Sequence, residues 1–409
     1  MAEPLWTVQQ AADWLNISER TAYQMARDDA LAGAIKIGGS WRVDPQRLQD
    51  WVSGRVAASG TGLTRQVYDA TAPVETARTP PSSWYRSAVR DQQERRAVLA
   101  ANWQVVAHGD ELIEPGSYLA GCTASEPWLL VRDEEGGLRA FSNVCRHNGT
   151  PVAEGRGKAE QFVCPYHGWR YHLDGRLSKA PRLGGIKDFN REEFGLRPLQ
   201  VQQFGPLILL NISGDCSPLD LSVLTTQLDA SGWDKLKRVE RRSYHLKCNW
   251  KVFIDNYLDG GYHVPSLHQD LAADLDLQSY RTELFERYSI QTVGATTGSS
   301  ARIGDAIYAW VYPNLMINRY GPMMDVNVVV PTGAETCRVD FDWYFEPGSD
   351  ASFIAESIVA SEQVQDEDIA VCNALQEGMR SMHFRPGPYA PRVEQGKHHF
   401  HGLIASDLP

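Results

Sequence analysis

Cys145-Arg146-His147 and, sixteen residues on, Cys164-Pro165-Tyr166-His167 decide how this chain is read. One pair is spaced C-x-H and the other C-x-x-H, so two thiolates and two imidazoles are offered to one centre. Zinc accepts such a set in many small folds. A two-iron cluster accepts it too, with two Cys on one iron and two His on the other. The flanking residues supply the context. Trp128-Leu129-Leu130-Val131 and Leu138-Arg139-Ala140-Phe141 flank Gly136-Gly137 and lead to Cys145. Gln161-Phe162-Val163 leads to Cys164, and Trp169-Arg170-Tyr171-His172 runs into a turn at Asp174-Gly175. Alternating apolar residues around Gly-containing turns predict antiparallel hairpins with both ligand loops at their tips. A zinc finger would instead pair one hairpin with a helix.

In that context Cys145-Arg146-His147 and Cys164-Pro165-Tyr166-His167-Gly168-Trp169 resemble the two ligand loops of Rieske proteins. The resemblance implies a [2Fe–2S] cluster held by Cys145, His147, Cys164 and His167.

Composition narrows the function classes. The chain has 409 residues, enough for two or three domains, and a net charge of −11. That balance argues against a broad nucleic-acid or anionic-membrane surface. Seven Cys are present. The five outside the two loops (Cys122, Cys216, Cys248, Cys337 and Cys372) show no framework spacing, which predicts a reducing, cytoplasmic setting. Met1-Ala2-Glu3-Pro4 lacks a basic and then apolar leader pattern. Apolar runs such as Pro206 to Leu210 are too short to span a bilayer, so no membrane partner is expected.

Residues 1–56 read as a separate module. Thr7 and Gln10 fit a capping box for a first helix, Asn16 can end it, and Ser18 can cap a second. Strands are expected over Ala34 to Ile37 and Trp41 to Val43, then a helix from Pro45 to Val52. This pattern resembles the excisionase and MerR-like helix-turn-helix group, which would place the Ser18–Arg27 helix in a DNA major groove. The module carries six basic and seven acidic residues. A domain of net −1 gains little from phosphate contacts, so DNA is possible but not the favoured partner. Residues 57–83, rich in Ala, Thr, Ser, Gly and Pro, read as a linker.

The expected fold class is α+β: the helix-turn-helix module, a β-rich cluster domain over 103–213, and a catalytic domain of antiparallel sheet with helices over 84–102 and 214–409. Within the last, strands are expected at Ala306 to Tyr312 and Arg338 to Phe345, and a long helix from about Phe353 to Met379.

A second metal site is suggested by His263 and His268 in Asn256-Tyr257-Leu258-Asp259-Gly260-Gly261-Tyr262-His263-Val264-Pro265-Ser266-Leu267-His268. Two His alone are commonly structural. A carboxylate would complete the 2-His-1-carboxylate face of non-haem Fe(II) oxygenases. On a 3.6-residue period, Val364, Asp368, Cys372, Leu375 and Met379 share one helix face. Asp368 interrupts that apolar stripe, whereas Asp366 falls with Ala370, Asn373 and Glu377, and Glu367 with Val371 and Ala374. A buried carboxylate needs an ion pair or a metal, and the two His favour iron.

From Thr79 onward the chain is similar to Rieske oxygenases of the choline monooxygenase group. The carrying stretches are Thr79 to Tyr85, Asn256 to His268, Pro313 to Pro322, and Arg392-Val393-Glu394 with His398-His399-Phe400-His401. The resemblance implies mononuclear Fe(II) held by His263, His268 and Asp368, with Asp259 linking that site to a cluster His of a neighbouring subunit in a ring, expected to be a trimer. It implies O2 as oxidant and hydroxylation of a carbon next to nitrogen in a quaternary ammonium compound, choline foremost, giving betaine aldehyde. Without a G-x-G-x-x-G after a strand, electrons are expected from a separate ferredoxin or reductase. Another small amine or unrelated C–H substrate is the alternative, and a redox-sensing DNA-binding regulator the alternative from another class. For a quaternary ammonium the expected aromatic contacts are Tyr308, Trp310 and Tyr312, alternating on one strand, with Tyr320 nearby.

Overall fold

The computed structural model of the protein describes residues 5–15, 17–28, 30–52, 68–214, 216–296 and 305–408. They fall into two compact units, Met1–Tyr68 and Asp69–Pro409.

In the first unit β1 (Trp6–Thr7) leads into α1 (Val8–Leu15), followed by α2 (Glu19–Arg27), β2 (Ala34–Ile37), β3 (Ser40–Val43) and α3 (Pro45–Val52). The capping box forms: Thr7 N–H donates to Gln10 Oε1 at 2.8 Å and Gln10 N–H to Thr7 Oγ1 at 3.2 Å. Ser18 Oγ caps α2 by accepting from Thr21 N at 3.1 Å. Asn16, the expected stop of the first helix, lies outside the described residues. The sheet order is β1-β3-β2, and Ala11, Ala26, Leu31, Val43 and Leu48 form its core. The strand β1 was not anticipated; two residues are too few to carry a period.

Residues 53–67, which include the first part of the expected linker, also lie outside the described residues. Residues 69–83 are docked on their own unit despite their linker-like composition: Thr79 N–H donates to Gly387 O at 2.9 Å, and His398 Nε2 lies 3.1 Å from Ala72 O.

The second unit begins with α4 (Ser83–Arg86) and α5 (Ala88–Glu94), and the latter runs on through a π-helical turn over Arg95–Ala100. Strands β4 (Gln104–His108), β5 (Ser117–Thr123), β6 (Glu126–Arg132), β7 (Leu138–Ser142), β8 (Arg156–Lys158), β12 (Pro198–Phe204) and β13 (Leu207–Asn211) form one antiparallel sheet. A smaller sheet of β9 (Phe162–Val163), β10 (Arg170–Tyr171) and β11 (Leu177–Lys179) stands beside it, so the expected hairpins form. Next come α6 (Ser222–Ala230), β14 (Lys237–Leu246), α7 (Trp250–Tyr257), α8 (Val264–Leu267) and α9 (Gln269–Asp274). The chain then winds as a meander through β15 (Leu275–Leu284), β16 (Tyr288–Ala295), β17 (Ala306–Val311), β18 (Leu315–Tyr320), β19 (Met323–Gly333) and β20 (Thr336–Phe345), and β14 joins the β20 edge. Helices α10 (Ala351–Gly378) and α11 (Gln395–Asp407) end the chain. Among the described residues no helix is long and apolar enough to cross a membrane.

Period-two alternation gives the meander two different faces. Leu315, Ile317, Met324 and Val326 point one way and bury against Leu207 and Leu209 of β13, Trp103 and Trp233. Met316, Asn318, Tyr320, Asp325 and Asn327 therefore point the other way, toward α7 and α10. One polar contact ties the two sheets, His108 Nε2 of β4 lying 3.0 Å from Asp342 Oδ2 of β20, and another ties two helices, buried Lys251 of α7 donating to Glu94 of α5 at 2.6 Å.

Candidate functional site

The two Cys–His loops close by the same backbone scheme. Cys145 N–H donates to Thr150 O and Gly149 N–H to Cys145 O, each at 2.9 Å. Cys164 N–H donates to Trp169 O at 2.8 Å and Gly168 N–H to Cys164 O at 3.0 Å. In both loops the fourth residue after Cys is a glycine in the left-handed region, with φ of 87° and 71°. This repeat sets both thiols inward, in a core with Phe141, Phe162 and Tyr171. His147 and His167 stay exposed, with Nδ1 atoms 3.1 Å apart. Trp169 stacks on His147 at 5.0 Å. Tyr171 Oη lies 3.3 Å from Cys145 Sγ and accepts from Arg146 N at 3.0 Å. Burial pushes the Cys145 thiol up. Two buried sulfurs and two exposed imidazoles, their reactive nitrogens converging, fit the donor set of a Rieske cluster.

The second centre is assembled from distant elements. Asn249 Oδ1 caps α7 by accepting from Lys251 N at 3.0 Å, and residues 250–255 are all buried. The helix ends at Tyr257, and Gly260 and Gly261 both take positive φ, 71° and 75°. A Cβ at Gly260 would come within 2.2 Å of Val393 O, so no side chain fits there. That turn delivers His263, and α8 then carries the chain to His268.

Asp368 reaches the two imidazoles from α10. Among the described residues, His263, His268 and Asp368 have ligand atoms that all lie within 4.8 Å of one another. Each His is held by a carboxylate on Nδ1: Asp259 Oδ2 at 2.7 Å for His263, and Glu367 Oε2 at 2.6 Å for His268. Both Nε2 atoms then face Asp368 Oδ1, at 3.9 and 3.1 Å. Asn256 Nδ2 donates to the same Oδ1 at 2.7 Å. Nδ1 tied to a carboxylate with Nε2 left free is how metal-ligating histidines are oriented. Burial disfavours the charged form of His268, but Asp368 and Glu367 outweigh it and raise its pKa. The donor set fits one iron with open coordination positions.

A cavity opens beside these residues. His263, His268 and Asp368 line it together with Tyr257, Tyr280, Tyr308, Tyr320, Asp325 and Asn327. Of the four expected aromatic contacts, Tyr308 and Tyr320 reach the cavity. Trp310 and Tyr312 do not line it. Trp310 lies 5.4 Å from Phe400 of α11, and Tyr312 Oη donates to Asp407 at 2.9 Å. Glu367, Asn256 and Asp325 escaped the sequence reading. Glu367 sits on the helix face taken as separate from Asp368, and Asp325 lies in a strand that reads as an ordinary one with a polar face. The expected apolar face of α10 is also different in kind: Leu375 is exposed, whereas Ser357, Gln365 and Gln376 are buried beside Ile358 and Cys372.

Comparison with known proteins gives these arrangements a context. The catalytic domain of ring hydroxylating alpha subunits matches residues 233–408, the Rieske [2Fe-2S] domain 102–190, and a helix-turn-helix domain 7–56. The chain is 42% identical to the chloroplastic choline monooxygenase of Arabidopsis thaliana over 83% of this chain and 85% of that one. It is 36% identical to the choline monooxygenase of Spinacia oleracea, covering 83% and 81%. The carnitine monooxygenase oxygenase subunit of Escherichia coli (strain K12) is 26% identical over 80% and 93%. Among solved structures, a quaternary ammonium Rieske monooxygenase in complex with L-carnitine superposes with a TM-score of 0.71 at 26% identity, covering 82% of this chain and 97% of that one. A naphthalene 1,2-dioxygenase from Rhodococcus sp. shares the fold at a TM-score of 0.67 and 19% identity, over 80% and 94%. The two catalytic modules bring a Rieske cluster, a mononuclear iron, O2 as oxidant, a ferredoxin or reductase as electron donor, and oligomeric assembly. The chain belongs to the choline monooxygenase family and is a Rieske monooxygenase.

Proposed function

We propose that this monooxygenase oxidises a small quaternary ammonium compound, choline foremost, to betaine aldehyde. The carrying observation is the His263–His268–Asp368 cluster opening on a cavity walled by four tyrosines. The curated relatives named above act, by their names, on choline or carnitine. Formation of betaine aldehyde requires hydroxylation at the carbon that bears the hydroxyl, one carbon removed from the carbon bonded to nitrogen. The expected site next to nitrogen therefore does not suit this product: hydroxylation there would lead to N-demethylation or C–N cleavage.

In this reading His263, His268 and Asp368 hold the iron, and Cys145, His147, Cys164 and His167 hold the cluster. When bound, the iron supplies O2 activation and the cluster supplies electrons. Asp259 and Glu367 fix the two imidazoles through Nδ1, and Asn256 fixes the Asp368 carboxylate. Tyr308 and Tyr320 offer ring faces to a cationic head group.

We assign the oligomer as a trimer. The exposed His147, His167 and Tyr166 leave the imidazole end of the cluster open to another chain. Asp259, through its bond to His263, is the residue proposed to meet it. One solved relative is described in terms of inter-subunit electron transfer. The balance of charges in the helix-turn-helix module leaves DNA a possible but not favoured partner, and the lack of disulfides among the seven Cys suits a cytoplasmic location.

The decisive measurement is O2 consumption coupled to betaine aldehyde formation with reduced ferredoxin. Uptake of O2 without product would remove choline and leave the monooxygenase. Light scattering on the purified protein tests the trimer.

A further inference from the structure

Asp325 has an unusual position in this cavity. It lies on β19, facing the helices, in a row that crosses the sheet through Trp343, Asn318, Tyr308 and Gln291. It is 2% exposed. Asn318 Nδ2 donates to Oδ1 at 2.7 Å and Tyr320 Oη to Oδ2 at 2.9 Å, with a further hydrogen bond from Asn327. Burial pushes its carboxyl up to about 6, against the hydrogen bonds from Asn318, Tyr320 and Asn327, which favour the carboxylate. Among the described residues no Lys or Arg lines the cavity. The buried carboxylate is therefore supplied with hydrogen bonds but with no basic side chain among them, an arrangement that is unfavourable unless a cation arrives.

We propose that Asp325 is the counter-charge for the substrate's cationic head, and that the site selects a quaternary ammonium over an amine bearing N–H. The selection follows from the hydrogen bonding. Three protein donors, Asn318, Tyr320 and Asn327, already occupy three of the roughly four acceptor sites of the Asp325 carboxylate, so a primary ammonium entering here could place no more than about one of its N–H groups on Asp325 without displacing one of them. A quaternary ammonium donates no hydrogen bond and needs only the charge, with the ring faces of Tyr308 and Tyr320 completing its surround. The same cavity carries buried polar atoms that find no partner among the described residues: Asn327 Oδ1, Ser357 Oγ and Gln365 Nε2. These suit a ligand with an oxygen as well as a cation.

The inference rests on the quaternary ammonium reading of the same site, and the test separates the two. Calorimetric binding to the iron-loaded, full-length protein is measured for choline, tetramethylammonium, ethanolamine and the neutral isostere of choline in which tert-butyl replaces trimethylammonium. The wild type is expected to bind choline at least about tenfold more tightly than the isostere or ethanolamine, a difference of roughly 1.4 kcal/mol. Asp325→Asn is expected to weaken choline and tetramethylammonium at least about tenfold and to bind the isostere within about twofold of wild type. Retained isostere binding also shows that the variant is folded. Asp325→Glu should recover part of the choline affinity. If Asp325→Asn binds choline like wild type, or loses the isostere equally, the counter-charge role is wrong while choline turnover by the wild type still stands. If choline is not oxidised but tetramethylammonium binds in an Asp325-dependent way, the choline reading fails and the counter-charge stands.

Discussion

The two regions proposed to bind metal are built in opposite ways. The cluster loops are local: Cys145 to His167 is a short run in which each loop ties itself off with two backbone hydrogen bonds and a left-handed glycine. The iron site is global: its two His follow a helix end, and its carboxylate comes from a helix a hundred residues later. The cluster thiols are buried and its imidazoles exposed, whereas His268 is buried and braced by a carboxylate on each ring nitrogen. A local site can load with little help from the rest of the chain. A global one depends on the sheet and α10 being in place.

The contrast is broken or sharpened by loss of each site in turn. His263→Ala is expected to abolish choline oxidation, by a factor of about a thousand or more, while the visible absorption of the cluster is unchanged. Intact turnover would remove His263 from the iron site. Cys145→Ser is expected to lose the cluster spectrum and electron uptake from ferredoxin but to retain one iron per chain. Loss of both metals together would mean that the two centres are not independently built. Glu367→Gln keeps the shape of the brace and removes its charge; iron affinity or turnover is expected to fall about 10- to 100-fold, read by metal titration and by steady-state rate.

Asp325 gives a smaller, pH-dependent effect on stability. Its folded-state pKa of about 6 lies above the ordinary carboxyl value. The native state therefore holds the proton more tightly, and the stability contributed by this group, present at low pH, is lost as pH rises through about 6. Asp325→Asn is expected to gain on wild type between pH 4 and 7, by on the order of 3 kcal/mol at the upper end, in urea titrations. His263, His268, Asp368 and the cavity tyrosines are common to both proteins and largely cancel in the difference. A gap that stays constant with pH would show that Asp325 is not the group titrating. Smallest of all, Trp310→Phe is expected to leave the choline KM within about twofold, because Trp310 packs on α11 away from the cavity.

Legibility from the sequence followed the same division. Cys145, His147, Cys164 and His167 were readable because spacing and hairpin turns lie side by side in the chain. The capping residues Thr7, Gln10 and Ser18 were readable for the same reason. Asp368 could be reached by helix periodicity, which pointed to its face but also placed Leu375 inside and Glu367 apart. Tertiary packing buries Gln365 and Gln376 instead of Leu375, because α10 covers a polar cavity and not a plain apolar core. Asp325 and Asn327 alternate with Met324, Val326 and Val328, which reads as an ordinary strand with one polar face and points to no buried site. The row in which Asp325 stands crosses five strands, β16 to β20, and exists only once they have come into register.

The apolar face of the meander, buried against β13, has a consequence for how this unit melts. Leu207 and Leu209 belong to the sheet that carries the cluster, and Ile317 and Val326 to the sheet that carries the cavity, yet all four share one core. Neither sheet can shed that interface without exposing the other's interior to water. Heat should therefore unfold the electron inlet and the oxidation chamber in a single cooperative transition, so that no state survives in which one works and the other has dissolved.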